Sequence, residues 1–115
     1  LCGCAVAGTD VKEEMVTGTK KNLEEYGIIA YDIRELEVSK ASEVFDQQFE
    51  AVITDLPYGK ASKEKSEPVE DFLETYSDLC KGKTVFMYNE PELGDFKSDF
   101  EIYVHGSLTR YIFVL

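Results

Sequence analysis

Ala51-Val52-Ile53-Thr54-Asp55-Leu56-Pro57-Tyr58-Gly59 is the stretch that decides the fold. Ala51, Val52 and Ile53 are apolar and two of them are β-branched, the pattern of a buried strand. The strand stops at Asp55. Pro57 has no N–H to give a ladder, it biases Leu56 towards an extended backbone, and Gly59 permits a sharp turn. A carboxylate and an aromatic ring are therefore expected at the C-terminal end of a strand. In open α/β sheets that end is where ligands bind.

The flanking segments alternate between strand and helix patterns. Ala5 to Thr9 is a small-residue strand ending at Asp10. Asp10-x-x-Glu13 has the form of a capping box. Val11, Met15, Thr19, Leu23 and Tyr26 then recur at helical spacing, with Gly27 as a good residue to end the helix. Ile28 to Tyr31 reads as a strand ending at Asp32, and a short helix is possible around Ala41 to Phe45. Lys60 to Glu67 is a polar loop. Pro68 suits a first helical turn, and Val69, Phe72, Leu73, Tyr76, Leu79 and Cys80 form one apolar helix face ended by Gly82. Thr84–Tyr88, Phe100–Val104 and Tyr111–Leu115 read as strands. Asn89 to Ser98 is an irregular connection, and His105 to Arg110 joins the last two strands as a hairpin. Leu1 to Cys4 looks like the last turn of a preceding helix. The expected class is α/β, with a mostly parallel sheet and a closing antiparallel hairpin.

At 115 residues and 43% hydrophobic content the chain makes one globular domain, residues 1–115. No apolar run approaches the ~18–20 residues of a membrane span, and no secretory signal is visible. Cys2, Cys4 and Cys80 lack the spacing of a metal or disulfide framework. They read as free thiols of a cytoplasmic protein, with no metal expected. Twelve Lys and Arg against 23 Asp and Glu leave a net charge of −11. Such a surface repels phosphate backbones, so any nucleic-acid footprint must be local or lie on another part of the protein.

Asp10, Asp32 and Asp55 each follow an expected strand, and in a parallel sheet the C-terminal strand ends share one edge. A carboxylate there is placed to accept hydrogen bonds from ribose hydroxyls. Asp10 also fits a helix cap, and Asp32 also fits an ordinary turn. Asp55-Leu56-Pro57-Tyr58 is harder to explain as a plain turn, because a turn does not need an aromatic after the proline.

These residues resemble the Rossmann-fold, S-adenosylmethionine-dependent methyltransferases that methylate amino groups, whose signature is (Asp/Asn)-Pro-Pro-(Tyr/Phe). Leu56 replaces the first proline. That departure is more similar to the tRNA guanine-N2 methyltransferases with an RNA-binding THUMP domain, archaeal enzymes modifying guanosine 10 of tRNA above all. Gly8-Thr9-Asp10-Val11, the helix through Asn22-Leu23, Tyr31-Asp32-Ile33 and Val104-His105-Gly106-Ser107-Leu108-Thr109-Arg110 resemble further motifs of that family.

The resemblance implies that Asp10, with Val11, holds the cofactor ribose. Asp32 would accept from the adenine amine, with Ile33 beside the ring. Asp55 and the Leu56 carbonyl would accept the two protons of the target amine, and Pro57 would stiffen the turn that stacks Tyr58 on the base. It implies tRNA as partner, bound mainly through an N-terminal domain beyond this stretch. Amino-methylation of adenine or of a protein glutamine, or a catalytically inactive binding module, are the competing readings. Ser107, Thr109 and Arg110 either contact RNA or close a hairpin, and Lys60, Lys63 and Lys65 are either a phosphate contact or a solvated loop. The family's first strand and glycine loop have no counterpart here. That strand lies between the strands of Val6 and Val52, so the inner edges of those two are expected to be bare. The chain is then expected to be part of a longer protein or completed by another chain, and not to hold S-adenosylmethionine tightly alone.

Overall fold

The computed structural model describes residues 3–56 and 67–115. Strand β1 (Val6–Asp10) leads to helix α1 (Glu13–Glu25) and strand β2 (Tyr31–Glu35). A 3-10 turn (Val38–Lys40) and the short helix α2 (Ala41–Val44) precede β3 (Phe49–Asp55). Helix α3 (Glu67–Leu79) runs straight into β4 (Cys80–Tyr88). A small hairpin of β5 (Glu92–Leu93) and β6 (Phe96–Lys97) follows, and β7 (Phe100–His105) and β8 (Leu108–Val114) close the chain.

The strands form a parallel pair, β1–β2, and a mixed sheet in the order β3-β4-β8-β7, besides the small hairpin. β3 and β4 are parallel; β8 runs antiparallel to β4 and to β7. Parallel strands joined by helices and a C-terminal antiparallel hairpin are the architecture expected from the sequence. β1 pairs only with β2, and β3 only with β4, among the described residues. Between these two strands lies a cleft of about 500 Å³, walled by Val6, Ala7, Val52, Phe45, Phe72 and Leu79 among others. The bare inner edges expected of the Val6 and Val52 strands are thus present.

The core sits between α3 and the mixed sheet. Phe72, Phe86 and Phe113 are at most 1% exposed, and Leu56 and Val69 complete the cluster. Phe86 stacks on Phe113 with centroids 4.6 Å apart, and Phe72 meets Phe86 edge-on at 5.7 Å. Apolar residues spaced along α3 meet alternate residues of β4 and β8, so the helical and strand periods agree on one interface.

Several boundaries differ from those read from sequence, each for a local reason. Helix α1 starts at Glu13 rather than Val11, because Asp10 Oδ1 accepts the Lys12 N–H at 2.8 Å and leaves Lys12 as an extended N-terminal cap residue. The capping box is therefore absent. The exit of α1 follows expectation: Gly27 has φ 73°, and Gly27 and Ile28 donate to the Glu24 and Leu23 carbonyls. Those bonds tie Ile28 to the helix end, so β2 begins only at Tyr31, whose hydroxyl donates to Glu24 of α1. Asp32 consequently lies inside β2 and not at its end. Gly82 does not end α3 but lies within β4. The β3–β4 register slips between Phe49 and Ala51, and a Cβ at position 82 would collide with the Glu50 carbonyl oxygen. Gly82→Ala is expected to destabilise the fold by about 1–3 kcal/mol, because backbone and not a flexible side chain must yield. Urea titration reads this, and an unchanged midpoint would remove the argument. Last, the β7–β8 turn is Gly106-Ser107 alone, and Leu108, Thr109 and Arg110 are strand residues.

Candidate active site

Asp55 is the last residue of β3, opposite Met87 of β4. One residue further, the Leu56 N–H donates to the Met87 carbonyl at 3.0 Å, and its side chain is buried in the aromatic cluster. Leu56 thus fixes the backbone directly after Asp55 in two ways. A proline there would have no N–H for this bond, which gives the Asp-Leu sequence a structural reason. Pro57 and Tyr58, and the Lys60, Lys63 and Lys65 loop, lie outside the described residues.

The Asp55 side chain is 43% exposed, and its Oδ2 accepts a hydrogen bond from Arg110 Nη1 at 2.5 Å. Antiparallel pairing explains how residues 55 positions apart meet. β8 begins where β4 ends, Tyr111 stands opposite Tyr88, and Arg110 is one residue earlier, level with Asn89 just past β4. Asp55, Met87 and Arg110 share one face by strand alternation. Asn89 at the same edge has a buried Oδ1 with no hydrogen-bond partner among the described residues. Neither Asn89 nor the Asp55–Arg110 contact was legible in the sequence. A hairpin closed at Gly106-Ser107 would have signalled the second.

The other candidate acids lie on the β1–β2 pair. Asp10 ends β1 with one oxygen holding the turn into α1, and Val11 beside it is 57% exposed. Its register partner is Glu35, so Glu35 rather than Asp32 is the carboxylate level with Asp10. Asp32 pairs with Ala7, further from the edge. Both of its oxygens accept from Arg34, at 2.7 Å each, and the guanidinium lies 5.0 Å over the Phe45 ring. Ile33 is buried against Gly8. Asp10 and Asp55 therefore end strands on opposite sides of the cleft.

Hydrogen bonding from Arg34 holds the Asp32 carboxyl below its ordinary value. A carboxyl depressed in the folded state stabilises the fold above its unfolded pKa, and that contribution is lost as pH falls through the folded value. Arg34→Gln is expected to raise the Asp32 titration midpoint, read by carboxyl-carbon NMR. An unmoved midpoint would mean that the pair does not persist in solution.

Residues 3–98 match the sequence model of the RMKL-like methyltransferase domain. The chain belongs to this methyltransferase domain family. Among curated relatives of the methyltransferase domain, the tRNA (guanine(10)-N2)-dimethyltransferase of Pyrococcus abyssi is 32% identical, covering all of this chain and 39% of that protein. The enzyme of the same name from Methanocaldococcus jannaschii is 29% identical, covering 99% of this chain and 35% of its own length. The chain thus spans between a third and two fifths of these relatives. Solved structures share the methyltransferase fold. An rRNA methylase from Streptococcus thermophilus superposes with a TM-score of 0.72 at 14% identity, over 94% of this chain and 70% of that one. A putative methyltransferase from Streptococcus mutans in complex with SAH superposes with 0.67 at 12% identity, over 94% and 73%. Among the described residues no helix is long and apolar enough to cross a membrane.

Proposed function

We propose that this chain carries the target-amine end of a methyltransferase that acts on the exocyclic N2 amine of a guanosine in tRNA, at position 10, with S-adenosylmethionine as methyl donor. The observation that carries the reading is Asp55 at the end of β3. Oδ1 of its carboxylate accepts no hydrogen bond among the described residues, and a buried side chain and a ladder bond fix the next residue. The names of the relatives supply the substrate class. tRNA is then the partner, engaged mainly by a part of the protein outside this stretch, because a domain of net charge −11 is a poor phosphate binder. The cytoplasm is the matching compartment.

Asp10 at the end of β1, with exposed Val11 beside it, fits the ribose of the donor. Asp32 and Ile33 are the candidates for the adenine, and for Asp32 to accept from it Arg34 must yield one of the two carboxylate oxygens it holds. When bound, S-adenosylmethionine supplies a methyl group on a sulfonium, whose carbon–sulfur electron pair stays on sulfur as nitrogen's lone pair forms the new bond. This chain's residues act on that nitrogen. A guanine amine is a poor nucleophile because its lone pair is delocalised into the ring. Accepting its two protons at Asp55 and at the Leu56 carbonyl favours a pyramidal nitrogen with a directed lone pair. The carboxylate also stabilises the positive charge that develops there, and one proton then leaves to Asp55 or to water. Tyr58 is the group to stack on the base, taken out of its helix.

The test is nucleoside mass spectrometry after incubating the full-length protein that carries this chain with S-adenosylmethionine and unmodified tRNA. N2-methylguanosine at position 10 is expected. Methyl transfer to DNA adenine or protein glutamine instead would replace this reading.

A further inference from the structure

We infer that Arg110 is a positioning residue for Asp55: it clamps one carboxylate oxygen so that the other faces the target amine. The inference rests on the methyl-transfer reading above and adds a residue to it. Arg110 Nη1 lies 2.5 Å from Asp55 Oδ2, while Oδ1 accepts no hydrogen bond among the described residues. The terminal torsion of an aspartate side chain is broad and roughly two-fold. A guanidinium on Oδ2 fixes that torsion and leaves one defined acceptor, which is what an amine clamp built from one side-chain oxygen and one backbone carbonyl requires.

The pair is ill suited to being a stabilising device. Both side chains are partly exposed, 27% for Arg110 and 43% for Asp55, and exposed ion pairs add little to stability. Its place is instead set by the sheet. The central strand β4 separates β3 from β8, and only at the end of β4 does an arginine of β8 reach an acid of β3. The Gly106-Ser107 turn and the pairing of Arg110 with Ile102 fix the arginine's register from the other side.

The experiment measures kcat and KM for methyl transfer to tRNA with wild type, Arg110→Ala, Arg110→Lys, Asp55→Ala and the double variant. Arg110→Ala is expected to lower kcat by about 10- to 100-fold, the range of a lost orienting contact, with KM for tRNA changed less than about twofold. Arg110→Lys restores part of kcat, since charge returns without the planar fork. The double variant is no slower than Asp55→Ala, because the two residues act as a unit. A rise in KM with kcat kept, and a weaker salt dependence, would make Arg110 an RNA contact and overturn the inference alone. An inactive wild type would instead remove the methyl-transfer reading, and the inference with it.

Discussion

Asp55→Ala is expected to lower methyl transfer by about 100- to 1,000-fold, the loss seen when one preorganised group stabilising a transition state is removed. On the proposed reading, Asp55 carries the charge next to the nitrogen that becomes positive. Alanine removes both that charge and one of two proton acceptors, leaving the Leu56 carbonyl alone. Asp55→Asn keeps an acceptor of the same shape without the charge, so an intermediate loss is expected, and the ratio of the two variants separates orientation from electrostatics. The fold should barely notice either change. Asp55 is exposed at the end of its strand, its only described side-chain partner is Arg110, and an exposed pair of this kind is worth about 0–1 kcal/mol. Activity within threefold of wild type for Asp55→Ala would dismiss the clamp, and equal Tm values for the two proteins are needed for the comparison to count.

The sequence made Asp55 visible because an acid, a proline and an aromatic in that order are chemically unusual at the end of an apolar strand. α1 and α3 were visible through their period, and the exit of α1 through Gly27. Asp32 lies inside β2 and not at its end for a physical reason. Ile28-Ile29-Ala30 has the composition of a strand, but Ile28 is tied to the end of α1 and Ile29 is 87% exposed. The chain spends those residues leaving the helix. Capping and strand-start signals compete there, and composition does not say which one wins. The same holds for Gly82, which looked like a helix stop because the close approach of the Glu50 carbonyl is a tertiary fact. The contact of Arg110 with Asp55 is legible from sequence only once the hairpin is closed at Gly106-Ser107. The two residues lie 55 positions apart, and the contact depends on the registers of three strands at once.

Those registers in turn rest on the aromatic core, which links the site to stability. Phe86→Ala is expected to destabilise the protein by about 3–5 kcal/mol. Phe86 is fully buried in β4, stacked on Phe113 of β8 and edge-on to Phe72 of α3. Alanine would leave a cavity bounded by two rings that are themselves held by strand pairing and helix packing, so little collapse can fill it. Against a usual total of about 5–15 kcal/mol for a domain, that loss consumes much of the margin. In urea the midpoint should fall sharply with the slope unchanged. Phe86→Leu keeps most of the volume and should cost distinctly less. It is also the informative variant for function. β4 is the strand that spaces Asp55 from Arg110, so a loosened Phe86 site lets β3 and β8 shift relative to each other at the end where the ion pair forms. Phe86→Leu should therefore lose kcat while remaining folded, and its loss should shrink when Arg110 is already alanine. Additive losses in that double variant, or a Phe86→Ala protein as stable as wild type, would show that core and clamp are independent.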